Sequence, residues 1–97
     1  MPTYVSLIKL TEKATKDIKK MLKDQEEAFK MGEKIGVKPV SMYWLMGEYD
    51  GVFIYECPSD EAALTGLLAA SSDGNCRFTT LKAFTPEEFG AIVDKLP

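Results

Sequence analysis

The chain is 97 residues long, 45% hydrophobic, with a formal net charge of −3 and no histidine. A domain of that length buries roughly two-thirds of the surface its unfolded chain exposes, enough for one core spanning residues 1–97 and too little for a second. The missing histidine removes the commonest metal ligand and the only side chain that titrates unperturbed near neutrality, so zinc sites, His-ligated haem and Ser-His or Cys-His nucleophile pairs are excluded.

Residues 4–10 (Tyr-Val-Ser-Leu-Ile-Lys-Leu) are rich in β-branched and aromatic side chains and predict a strand that ends at the helix-capping Thr11. From Glu12 to about Ile35, Ala14, Ile18, Met21, Leu22, Ala28, Phe29 and Ile35 recur mostly at intervals of three, four and seven, the apolar face of one helix. Gly36 offers the left-handed conformation that closes a helix, and Pro39 prevents its resumption. Residues 40–46 and 52–57 predict two further strands. They are joined through Gly47-Glu48-Tyr49-Asp50-Gly51, whose closing Asp-Gly favours φ > 0 in a hairpin loop, so the pair is antiparallel. Pro58-Ser59-Asp60-Glu61 sets a cap and two acids at the start of a helix that continues through Ala62 to Ala70 and ends in 71–75. Residues 76–84 predict the fourth strand. Thr85-Pro86-Glu87-Glu88 is a capping box with proline at the first helical position, and Phe89, Ile92, Val93 and Leu96 give the short last helix an apolar side.

This is the ferredoxin-like βαββαβ order of an α+β domain with a short C-terminal helix. Right-handed crossovers put both long helices on one face of an antiparallel four-stranded sheet. A sheet covered on one side should alternate apolar and polar, yet Met42, Trp44 and Met46 share one parity while Tyr43 and Leu45 take the other. Likewise Val52 and Ile54 oppose Phe53, Tyr55 and Cys57. Both faces ask for burial, which predicts a homodimer through the sheet face, with partial shielding by the last helix as the alternative.

The hairpin Tyr43-Trp44-Leu45-Met46-Gly47-Glu48-Tyr49-Asp50-Gly51 resembles the signature of the GYD domain family, named for its Gly-x-Tyr-Asp turn. Residues 4–11 and 77–89 are similar to that family too, so the resemblance spans essentially the whole chain. It implies a ferredoxin-like, dimeric α/β-barrel-type protein and names no reaction. Met42, Met46 and Gly32 depart from the family pattern, and Met46 is placed to reshape a pocket.

The remaining composition narrows the setting. Nothing at the start pairs a basic segment with an apolar run, and no stretch approaches the roughly 18 apolar residues of a membrane span, so a cytoplasmic protein with no membrane partner is expected. Cys57 and Cys76 lie outside any Cys-x-x-Cys spacing and read as small apolar fillers. Residues 9–38 hold nine Lys against six acids and residues 39–97 three basic residues against nine acids. The Lys residues interleave with acids at helical pair spacing, a solvated face, and the acidic balance and single arginine speak against nucleic acid.

Two sets of residues carry the chemistry on offer. Trp44, Tyr43 and Tyr55, with Phe53, line either a dry dimer core or a pocket for a flat apolar ligand, and Arg77 is either the ligand's anchor or half of an ion pair. Asp50 is a turn residue bonded to local backbone or a general base, and Tyr49 packs on the sheet edge or aims its hydroxyl into a cleft. The expected function is a homodimeric small-molecule-binding module for an apolar or aromatic metabolite, without metal or cofactor. One alternative is a cofactor-free enzyme, oxygenase- or isomerase-like by fold analogy, in which Asp50, Glu48 or Tyr49 does the acid-base work. The other is a structural or protein-interaction subunit.

Overall fold

The computed structural model describes residues 1–97. Strand β1 (Thr3–Leu10) alternates as a half-covered strand does: Tyr4, Ser6 and Ile8 are buried, and Thr3, Val5 and Leu7 between them are half-buried. The single helix predicted from Glu12 is instead two, α1 (Glu12–Lys16) and α2 (Ile18–Lys34), parted at Asp17 with φ −144° and ψ 74°. The Asp17 carboxylate accepts the Lys20 N–H at 3.2 Å and caps α2, the competition with the helical backbone that short polar side chains offer. One residue of interruption leaves the apolar stripe almost in phase, so periodicity reads straight through it. Gly36 (φ 94°) closes α2 as expected.

Strands β2 (Lys38–Trp44) and β3 (Gly51–Glu56) form the hairpin, followed by α3 (Asp60–Ser71), β4 (Cys76–Ala83) and α4 (Pro86–Val93). β2 begins before Pro39 because it is an edge strand, where a missing N–H is tolerated, and a bulge leaves Val40 without a cross-strand partner. Leu45 and Met46, expected in the strand, fall in the loop. There the φ > 0 position is Gly47 (119°), not the Asp50-Gly51 pair. Gly51 starts β3 and is needed for close approach: a Cβ there would sit 3.1 Å from the Trp44 ring and 3.4 Å from Ile8 Cδ1.

The sheet order is β2-β3-β1-β4, antiparallel throughout, the ferredoxin-like arrangement, with α2 and α3 over one face. Cross-strand register sorts the side chains. Met42, Trp44, Phe53, Tyr55, Phe78 and Thr80 join Tyr4, Ser6 and Ile8 on the helix side. On the open side Tyr43, Val52, Leu7 and Thr79 form one row across the four strands, and Ser41, Ile54, Val5 and Leu81 form the next.

α4 covers neither side. Its Phe89, Ile92 and Val93, with Leu96 just beyond its end, are all exposed, so the last helix does not shield the open sheet face. The molecule is elongated as a result, 53 × 31 × 17 Å. No helix is long and apolar enough to cross a membrane.

Candidate functional site

The helix-side residues do not close completely against α2 and α3, and a cavity of about 100 Å³ remains between the layers. One wall is formed by Phe29, Phe53 and Tyr55, part of a run of rings that Tyr4 continues outside the lining. Phe29 of α2 meets Phe53 at 5.2 Å, Phe53 stacks on Tyr55 at 4.8 Å, and Tyr55 stacks on Tyr4 at 5.6 Å. Trp44, held over Gly51 on the edge of the sheet and 45% exposed, stands at the rim. Met21, Met42, Leu67 and Phe78 supply adaptable apolar surface elsewhere.

The sheet side of the cavity is polar at Ser6 and Tyr55. Ser6 is fully buried in the middle of β1, and its Oγ is hydrogen-bonded at 2.9 Å to the Tyr55 hydroxyl on β3 and at 2.9 Å to Thr80 Oγ1 on β4. Three hydroxyls on adjacent strands thus satisfy one another, as buried polar groups must. Burial pushes the Tyr55 phenol up, opposed by the Ser6 and Thr80 bonds. Neither Ser6 nor Thr80 stood out among the sequence candidates. The signal was there in the parity of Ser6 with Tyr4 and Ile8, which puts a serine on the core side of a central strand.

The cavity's charge is as informative as its shape. Of its 21 lining residues 14 are hydrophobic, and Asp73 is the only charged one. Asn75, itself buried beside it, donates from Nδ2 to Asp24 Oδ2 at 2.9 Å, and that bond lowers the Asp24 carboxyl below its usual range. With no lysine or arginine in the lining, nothing there compensates a carboxylate or phosphate. Burial raises both thiols, Cys76 to about 11, so neither is a ready nucleophile at neutral pH.

The residues singled out from sequence are not brought together. Trp44 and Tyr55 line the cavity, whereas Tyr43, 63% exposed, and Arg77 project from the opposite side of the sheet. Arg77 makes no ion pair within the chain. The Asp50 side chain bonds to a neighbouring strand and not to its own turn: its carboxylate accepts the Leu10 N–H at 2.7 Å, and the Asp50 N–H donates to Ile8 C=O at 2.8 Å. Its own C=O accepts the Leu45 N–H at 2.8 Å. Tyr49 packs under the Lys9 ammonium, 5.4 Å from the ring centre. Neither Asp50 nor Tyr49 lines the cavity.

This hairpin, in which Gly47 turns the chain and Asp50 ties it to β1, lies within a segment, residues 4–93, that matches the family model of the GYD domain. The chain belongs to the GYD domain family. No protein of curated function matches this GYD domain in sequence. Among solved structures it is similar to MtbAldR, with TM-score 0.64 and 12% identity over 87% of this chain and 52% of that one. The GYD domain thus spans about half the length of that protein. It is also similar to FFRP-DM1, with TM-score 0.54 and 16% identity over 87% of this chain and 100% of that one. At such identities the likeness is one of fold.

Proposed function

We propose that this GYD domain is a homodimeric, cytoplasmic module that binds a small, neutral, apolar or aromatic metabolite between its sheet and helices. The observation that carries this reading is the cavity itself: aromatic walls, the Ser6 and Tyr55 hydroxyls braced by Thr80 outside the lining, and no cation. A volume of about 100 Å³ falls short of the ~150 Å³ that holds benzene, and the flexible Met21 and Met42 side chains supply the give a single ring needs. Trp44 and Tyr55 act as walls, and the hydroxyls offer a hydrogen bond to one polar atom of the ligand. Arg77 and Tyr43, on the other face, serve the partner copy. Two unpaired thiols fit a reducing compartment. The enzyme alternative lacks a comparable observation, because Asp50 and Tyr49 are engaged outside the cavity.

Trp44 is the only tryptophan, so its fluorescence reports the cavity directly. Benzyl alcohol, neutral with one hydroxyl, is expected to shift Trp44 emission saturably, and benzoate, its anionic counterpart, to leave it unchanged. A Ser6→Ala variant should bind benzyl alcohol several-fold more weakly. Emission that neither compound moves, or that both move alike, would remove the binding reading.

A further inference from the structure

α4 is an amphipathic helix with nothing to lie on. Phe89, Ile92 and Val93 fall at i, i+3 and i+4 on one face, Leu96 follows just beyond the helix end, and the four are 61%, 46%, 42% and 68% exposed. An eight-residue helix is marginal in water unless its apolar face is covered. Its start is nevertheless rigidly built, with Thr85 Oγ1 accepting the Glu88 N–H at 3.0 Å and Glu88 Oε1 accepting the Thr85 N–H at 2.8 Å. The same chain carries a matching vacancy: a groove of about 310 Å³ between α3 and β4, lined by Leu64, Leu67, Leu68 and Phe78, with Leu64 and Leu68 56% and 63% exposed.

The helix and the groove do not meet within one molecule. Only Phe84 and Thr85 separate β4 from α4, Thr85 is extended (φ −67°, ψ 161°), and Pro86 follows, so the chain runs on past the end of β4 and does not fold back along it. We infer that α4 of each copy docks into the α3–β4 groove of a second copy, a reciprocal exchange of C-terminal helices.

Area favours that occupant. Four partly exposed apolar side chains hide roughly 300 Å² per arm, and two arms with two grooves together about 1,200 Å², the lower bound of a stable interface. The exchange stands apart from pairing of the open sheet faces and adds to it.

Crosslinking in a Cys76→Ala background tests it, the other thiol, Cys57, being fully buried. Chains carrying only Leu68→Cys are mixed with chains carrying only Phe89→Cys under mild oxidant. A disulfide-linked pair of the two chains is the expected product, and Phe89→Asp should weaken self-association at least tenfold by sedimentation while leaving the far-ultraviolet circular dichroism intact. A dimer by light scattering that gives no crosslink overturns the helix exchange and leaves the ligand cavity and sheet pairing standing. A Leu68→Cys, Phe89→Cys double variant that closes its disulfide within a monomer overturns it as well.

Discussion

Asp50 joins three pieces of backbone: its carboxylate meets the end of β1, its N–H meets Ile8 and its C=O meets Leu45. Removing the carboxylate strands a partly buried N–H, which costs about 1–3 kcal/mol. Asp50→Ala is therefore expected to lower the urea unfolding free energy by that amount, whereas Asp50→Asn keeps an acceptor and loses less. An alanine variant as stable as the parent would show that the bond is idle. Tyr4 gives a second test. Its hydroxyl donates to Asp60 Oδ1 at 2.5 Å, and that bond, with burial, raises the phenol from 10.0 to about 12. The same bond, helped by Lys82, lowers the Asp60 carboxyl below 3.8. A phenol raised on folding contributes stability fully present below pH 10.0 and lost as pH climbs toward 12. A depressed carboxyl contributes stability present above 3.8 and lost at more acid pH. Stability is thus expected to hold between these limits and fall on both sides. In an ultraviolet titration one tyrosine should ionise near 12, and Asp60→Asn should bring it back toward 10.0.

Among the elements, the loop separates two kinds of glycine. Gly47 has φ 119°, and a Cβ added there would meet nothing within 4 Å, so Gly47→Ala probes backbone strain alone and is expected to cost ~1–3 kcal/mol in a denaturant titration. A neutral result would mean the loop relaxes into another turn. Caps, prolines and the Gly36 stop were legible because they act within a few residues of themselves. The break at Asp17 was not, since an acid among lysines on a helix looks the same whether it points to solvent or caps a new segment. The β2 bulge was equally hidden: it depends on which residue of β3 each residue of β2 meets.

For the whole molecule, the proposed sheet pairing rests on the open face. Val5, Leu7, Val52 and Ile54 sit half-buried at its centre, with exposed Tyr43 and Leu81 beside them and no helix above. A charge at the centre of that face is expected to break the proposed sheet pairing, so Ile54→Lys in a Phe89→Asp background, which removes the helix exchange, should scatter light as a 10.8 kDa particle where Phe89→Asp alone scatters as twice that mass. A parent that is already monomeric at micromolar concentration would leave the face without a partner.

Element order, element type and the apolar excess on both parities of β2 and β3 follow from the sequence by itself, because periodicity and capping are local and each residue carries its own preference. Tertiary structure alone decided which parity met the helices, and with it that Trp44 and Tyr55 share a cavity while Tyr43 and Arg77 face away. It also seated Ser6 among three hydroxyls and left α4 bare. The physical reason is that strand register is a property of pairs: shifting one strand by a single residue turns every side chain on it to the other face, and nothing within that strand records which choice its neighbour makes.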